Sequence, residues 1–165
     1  LLEWSANLAL SQNKVLNFSE YIDNYDIGGQ MMKQYTRTDI AFSPNVIAGG
    51  RITIFPLRRQ TGHLLEQLSF DFLPKYVGRQ FLDNTGNKDR MISSFFVQDV
   101  LINCPLKIRS GTLLNLRTGF YNVLNKKYEA NGYTYSYIYN DKLVTTNYYY
   151  PQSGFRWMIG AGIAF

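Results

Sequence analysis

The sequence predicts an all-β chain of antiparallel strands sized to cross a membrane as part of a β-barrel. Three observations predict it. Apolar residues recur at every second position in several separate segments. These segments run to roughly ten residues, against the roughly 9–11 that a tilted strand needs to cross a bilayer. Their connections alternate between long and short, which is the asymmetry of outer-membrane barrels.

The first strand is read from Trp4, Ala6, Leu8 and Leu10, alternating with Ser5, Asn7, Ala9 and Ser11. In the second, Ala48, Gly50, Ile52 and Ile54 alternate with Gly49, Arg51 and Thr53. The third places Leu64, Leu68, Phe70, Phe72 and Tyr76 on one parity, against Gln67, Ser69, Asp71 and Lys75. The fourth, 91–103, has no clear faces: Phe96, Val100 and Ile102 oppose Phe95, Val97 and Leu101, which are equally apolar. In the fifth, Leu114, Leu116, Thr118 and Phe120 alternate with Asn115, Arg117, Gly119 and Tyr121. The sixth is the clearest: Phe155, Trp157, Ile159, Ala161, Ile163 and Phe165 alternate with Arg156, Met158, Gly160, Gly162 and Ala164.

Short connections fall near 57–63 and 104–111; long ones fall near 12–45, 78–90 and 125–153. The shared parities assign Trp4, Ile52, Leu68, Phe70, Leu116, Phe120, Trp157, Ile159 and Ile163 to a lipid-facing surface. Trp4, Tyr76, Phe155, Trp157 and Phe165 fall near strand ends, where membrane barrels carry aromatic girdles.

Composition narrows the class. In 165 residues, 45% are apolar, 16% aromatic and only 18% charged, which argues against long disorder. A single cysteine, Cys104, excludes an intrachain disulfide framework. No apolar run reaches the length of a helical span. The net charge of +5 suits an anionic surface without specifying nucleic acid, and no nucleic-acid partner is expected. The opening Leu1-Leu2-Glu3-Trp4 enters mid-pattern, so the chain is read as a fragment or processed piece.

Residues that could carry chemistry have ordinary explanations. His63, in the basic turn Arg58-Arg59-Gln60-Thr61-Gly62-His63, lacks partners at metal-ligand spacing and is read as structural or solvated. Asp83, Asn84, Asn87 and Asp89 offer hard oxygen ligands of the kind calcium takes, but their composition also suits a polar turn, which is preferred. Gly160-Ala161-Gly162 lies inside a strand and is no dinucleotide fingerprint. Asn17-Phe18-Ser19 fits a glycosylation sequon that is taken as incidental. Neither a catalytic residue, a metal site nor a cofactor is assigned, and the chain is expected not to be an enzyme.

Two segments carry a family resemblance. Asn122-Val123-Leu124-Asn125-Lys126-Lys127-Tyr128, followed by Tyr150-Pro151-Gln152-Ser153-Gly154-Phe155-Arg156 and a last strand ending in Phe165, resembles the C-terminal signature of TonB-dependent outer-membrane receptors. Lys75-Tyr76-Val77-Gly78-Arg79-Gln80-Phe81-Leu82-Asp83-Asn84-Thr85 is similar to another segment of that family. Cys104-Pro105, where an aromatic strand end is usual, and the spacing of Arg156-Trp157-Met158 depart from the family pattern.

The resemblance implies that residues 1–165 are about the last six strands of a plugged barrel of some 22 strands, without the plug. It implies uptake of a scarce, bulky nutrient (siderophore, haem, cobalamin or oligosaccharide) across the outer membrane of a Gram-negative bacterium. Its partners would be outer-membrane lipid, upstream barrel strands, a plug domain, the TonB complex and the barrel-assembly machinery. Long connections would then be extracellular. The tyrosine-rich segment, with Tyr133, Tyr135, Tyr137, Tyr139, Tyr148 and Tyr149, is a candidate ligand surface or a self-packing loop. Arg117 and Arg156 would face the lumen and plug, and Phe165 would be an assembly signal. Two other readings stand beside this one: a small self-contained barrel, if 12–45 hides two further wall strands, and a soluble carbohydrate-binding β-sandwich.

Overall fold

A computed structural model describes residues 1–59, 62, 65–109 and 112–164, with Arg109 described by its backbone alone. The expectations for His63, Leu64 and Phe165 lie outside the described residues. Among those residues the protein is all-β, with no helix.

Twelve strands form among the described residues: β1 (Leu2–Leu10), β2 (Lys14–Asn24), β3 (Gly29–Asp39), β4 (Val46–Ile54), β5 (Ser69–Val77), β6 (Gln80–Phe81), β7 (Met91–Ile92), β8 (Phe95–Arg109), β9 (Thr112–Tyr121), β10 (Glu129–Tyr139), β11 (Lys142–Pro151) and β12 (Arg156–Ala164). A six-stranded sheet has the order β1-β4-β5-β8-β9-β12, every neighbouring pair antiparallel. These six correspond to the six strands read from the sequence, with shifted bounds: β5 begins only at Ser69, after a turn, and β8 runs from Phe95 to Arg109, so that 104–109, read as part of a connection, are strand, while Met91–Ile92 belong to β7. They follow one another along the chain as an up-and-down meander, which we call the wall. Its links after β1, β5 and β9 are the long ones, and all three leave from one end.

Those long links are not bare loops, as the sequence reading had them. They carry a second sheet, in the order β11-β10-β2-β3, and the small pair β6-β7. Segment 12–45 does hold two strands. They pair with each other, and β2 then pairs in parallel with β10 through Tyr137↔Asp23 and Ile138↔Asn24. Neither joins the wall, so the small-barrel reading loses the two strands it required. Residues 125–153 form a regular hairpin whose tip, Asn140-Asp141, has both φ angles near +50°, the geometry of a two-residue type I′ turn. The signal was present, since Tyr133, Tyr135, Tyr137 and Tyr139 alternate at strand period. Polar residues on both faces hid it.

Register fixes the faces of the wall, because residues directly opposite in an antiparallel pair project to the same side. One row runs Trp4–Ile52–Phe72–Val100–Phe120–Trp157 across all six strands. Every member is apolar. The next row, one residue along, runs Glu3–Thr53–Asp71–Leu101–Gly119–Met158 and lies on the other face. The ambiguous fourth strand is thereby resolved: Phe96, Val100 and Ile102 join the apolar face, and Phe95, Val97 and Leu101 the polar one.

The wall is also sheared. Trp157 is one residue from the long-loop end of β12, whereas Trp4, in the same row, is six from that end of β1. A drift of five residues over five strand steps amounts to roughly 17 Å over roughly 24 Å, from rises of about 3.3 Å and strand spacings of about 4.8 Å. That corresponds to a strand tilt of about 35°, at the lower limit of the range found in barrels.

Candidate functional site

The polar face of the wall is organised around Asp71. Its carboxylate accepts hydrogen bonds from Thr53 Oγ1 at 2.5 Å, Arg51 Nη2 at 2.9 Å and Asn103 Nδ2 at 2.9 Å. Asp71 is 2% exposed, which a carboxylate tolerates only with such a full set of donors. The donors come from β4 and β8, which flank β5, so the register that makes the apolar row also assembles this cluster. Near the short-turn end, Arg58 pairs with Glu3. These residues line a cavity of about 690 Å³ that also reaches Arg117.

Arg117 has no ion-pair partner among the described residues. Arg156 lies over the Tyr121 ring, 5.0 Å from its centroid. Both arginines occupy the polar face, as their parity requires. Added Cβ atoms at Gly160 and Gly162, on the same face, would meet nothing, so the polar face of β12 is open.

The other face is uncovered. Trp4 is 75% exposed, Trp157 60% and Ile159 68%. The second sheet does not lie over it. The apolar residues that are buried sit elsewhere: Ile22, Leu82 and Ile92 lie in the second sheet and the link after β5, and Val77, Phe95 and Val97, with Tyr128 against them, cluster on the polar side near the long-loop end.

The two motif segments act as clamps at that end. Asn122 and Asn125 both adopt positive φ, which asparagine tolerates better than most residues. Asn122 is 2% exposed. Its backbone N–H donates to Asp99, its side-chain amide donates to the Lys126 and Ser153 carbonyls, and its Oδ1 accepts from Lys126 N–H. Asn125 Oδ1 accepts from Phe155 N–H at 3.0 Å. The pair therefore ties the exit of β9 to the entry of β12, so the β10–β11 hairpin departs and returns through one fixed gate.

The second motif holds the link after β5. Gly78 N–H donates to the Val46 carbonyl, where a Cβ would stand 3.1 Å from that oxygen. Asn84 accepts from Ala41 N–H through Oδ1, and its carbonyl accepts from Thr38 Oγ1. Asp83 Oδ1 accepts from Thr85 N–H and Oγ1, and Asn87 Oδ1 from Asp89 N–H. These oxygens are thus engaged as turn formers. Among the described residues no group of three or more His, Cys, Asp or Glu could hold a metal.

Buried beneath the second sheet, Arg90 is 3% exposed. Its Nη1 donates to Glu20 Oε1 at 2.5 Å and Asp83 Oδ2 at 2.7 Å. Burial pulls the guanidinium pKa down, but these two hydrogen bonds and their charges carry it net upward. Tyr35 donates to Glu20 Oε2 at 2.7 Å; burial, followed by that bond and the Glu20 charge, pushes its phenol up to about 12. Glu20 and Arg90 stand 70 positions apart, and no local spacing signals their meeting.

The tyrosines divide. Tyr133 and Tyr148 are directly opposed and stack at 4.7 Å, Tyr150 lies 6.3 Å from Tyr133, and Tyr135 and Tyr137 lie 5.8 Å apart. Tyr139, on the same parity, ends the row beside the turn. Tyr149 projects to the opposite face, where its hydroxyl donates to the Met91 carbonyl. Tyr25, which sequence reasoning missed, packs on Tyr137 at 5.5 Å and hydrogen-bonds Tyr135. Tyr135 donates in turn to Asp23 Oδ2. Hydrogen bonds from Gln30 and Tyr135 hold the Asp23 carboxyl below its usual range, and the Tyr25 and Asp23 hydrogen bonds raise the Tyr135 phenol. Asp26 accepts from both turn amides, Asn140 N–H and Asp141 N–H. One tyrosine face therefore exists, held by the tip of the β2–β3 hairpin.

What these features define is an all-β protein with an antiparallel meander, one apolar and uncovered face, one polar face, and a structured cap at one end. Neither a protein-family model nor a curated protein matches the chain.

Proposed function

We propose that this chain is the C-terminal wall and outer-loop region of a TonB-dependent outer-membrane receptor that takes up a scarce, bulky nutrient of the siderophore, haem, cobalamin or oligosaccharide class. The observation that carries the reading is the row Trp4–Ile52–Phe72–Val100–Phe120–Trp157, apolar on every strand, exposed at Trp4, Ile52 and Trp157 and half-buried between them, backed by a face that buries Asp71. In water this arrangement is inverted; against lipid it is the required one, with apolar residues outward and polar residues toward a lumen. The shear supplies the tilt a barrel needs. A sandwich would cover the apolar face with its second sheet, and here that sheet stands elsewhere.

The roles follow from placement. The outward face meets outer-membrane lipid. Arg117, Arg156 and the open glycine face of β12 meet a plug domain inside the lumen. β1 and β12 are exposed along their whole length. A strand edge cannot stay unpaired in hydrocarbon, so further barrel strands complete the ladder. The cap faces outward and captures ligand, and the TonB complex, acting through other parts of the receptor, drives release. The barrel-assembly machinery receives the last strand, for which Phe165 is the proposed signal. No bond-making chemistry is assigned.

The test is fractionation combined with uptake. The full-length protein should sediment with the outer membrane, resist extraction without detergent and migrate differently in gels before and after boiling. Uptake by cells should stop when TonB is deleted. Recovery as a soluble, detergent-independent protein would overturn the reading.

A further inference from the structure

Among the described side chains, every charged strand residue of the wall lies on one face. The outward parity carries none, whereas the polar face carries acids and bases together. Its acids are all engaged: Asp71 by Arg51, Thr53 and Asn103, Glu3 by Arg58, and Asp99 by the Asn122 N–H. Its remaining bases are not. Lys75, Lys107, Arg117 and Arg156 have no acidic partner among the described residues. The face therefore presents positive charge that the wall itself does not neutralise.

Arg117 stands at the middle of that surface. In register it lies between Asn103 on β8 and Gly160 on β12. Asn103 already donates to Asp71 and Ser69, and glycine offers no side chain. Two hollows meet at Arg117: the cavity of about 690 Å³ described above, and a second of about 520 Å³ that reaches Tyr121 and Met158. Toward β12 the surface is bare, because an added Cβ at Gly160 or Gly162 would meet nothing. An exposed arginine costs little in water. In the proposed receptor, however, a packed domain covers this face, and a covered charge must be paired. A small free anion would pair Arg117 but leave both hollows empty. A main chain lying against β12, with a carboxylate side chain directed at the guanidinium, fills them and pairs the charge. Two parallel N–H···O bonds suit the guanidinium fork.

We infer that the plug docks on this wall through an acidic segment, with an Asp or Glu side chain seated on Arg117 and its main chain crossing Gly160 and Gly162. This rests on the uptake reading, which supplies the plug but not the sign of its contact surface.

The experiment converts the contact into a covalent one. Arg117→Lys in the full-length protein in detergent supplies an amine, and a water-soluble carbodiimide joins an amine only to a carboxylate it touches. Peptide mass spectrometry should find the amine at position 117 coupled to an Asp or Glu of the plug, and Arg117→Gln should abolish that coupling. Arg117→Glu should raise the rate at which protease cuts the plug by about tenfold or more, the scale of breaking one covered ion pair. Replacing the coupled acid by arginine in the same protein should restore resistance. Coupling to an acid within residues 1–165, no coupling to the plug, or a plug indifferent to Arg117→Glu would overturn the inference. A protein that fractionates with the outer membrane and fails here loses only the acidic contact. A protein recovered soluble without detergent removes the uptake reading, and this inference with it.

Discussion

Two neighbouring register rows of the wall, one residue apart in every strand, differ in chemistry: the first is apolar at every position, and the second is polar on β1, β4 and β5 but apolar or glycine on β8, β9 and β12. Trp4, Ile52, Phe72, Val100, Phe120 and Trp157 make one; Glu3, Thr53, Asp71, Leu101, Gly119 and Met158 make the other. In a water-soluble sheet the first would be buried and the second exposed. Here the tryptophans are open while Asp71 and Thr53 are buried. Period two carries both rows, and on the proposed membrane reading what differs between them is the medium each face meets.

The largest effect expected from this difference is a pair of substitutions at adjacent positions. Ile159→Arg places a charge on the apolar face, where arginine at the bilayer midplane costs roughly 2–4 kcal/mol. Met158→Arg puts the same charge on the polar face, beside Gly119. The folded fraction in the outer membrane should fall sharply for the first and little for the second. Equal tolerance would break the distinction between the rows.

Asp71→Ala sharpens it from the other side. The change strands Thr53, Asn103 and Arg51, and buried groups left unsatisfied cost about 1–3 kcal/mol. Arg51 is half exposed and recovers water, so the loss should fall within that range rather than reach that of a fully buried ion pair. Denaturant unfolding of the purified protein in detergent measures it. Asn122→Ala, which removes the clamp between β9 and β12, should cost about 1–2 kcal/mol by the same method and should loosen the β10–β11 hairpin to protease first.

The cap provides the smallest effect and the contrast, because there burial obeys water. The Tyr35 phenol is held protonated by burial and by Glu20, with its pKa raised from the ordinary 10 to about 12. Its contribution is fully present below pH 10 and is lost as pH rises toward 12. Phenolate absorbance gained between about pH 10 and 12 should be smaller by one tyrosine's share in Tyr35→Phe. The wall rows should not respond.

Much of this fold was legible. The strands that alternate cleanly, above all Phe155 to Ala164, carry both their existence and their faces in the sequence. The fourth strand did not, because Phe95 and Val97 are apolar on the polar side; they pack with Val77 and Tyr128 at the cap end, a tertiary requirement that periodicity does not encode. The long links were located correctly but read as loops, since the β10–β11 hairpin is polar on both faces. Of the tyrosines singled out, Tyr149 faces away from the rest. The Glu20–Arg90–Asp83 cluster and the Asp26 clasp on the hairpin turn join residues far apart in the chain, and only the folded cap brings them together.

The most direct measurement reads the medium at each face. With Cys104→Ala as background, single cysteines at Trp157, Ile159, Ala161 and Ile163, and at Met158, Gly160 and Gly162, are labelled with a fluorophore in the full-length protein reconstituted in liposomes. A quencher carried on the lipid chains is compared with a water-soluble one. Lipid-borne quenching should alternate, strong at the four odd positions and weak at the three even ones. Uniform quenching by the water-soluble agent along the whole strand would contradict the account, because the apolar row would then face water.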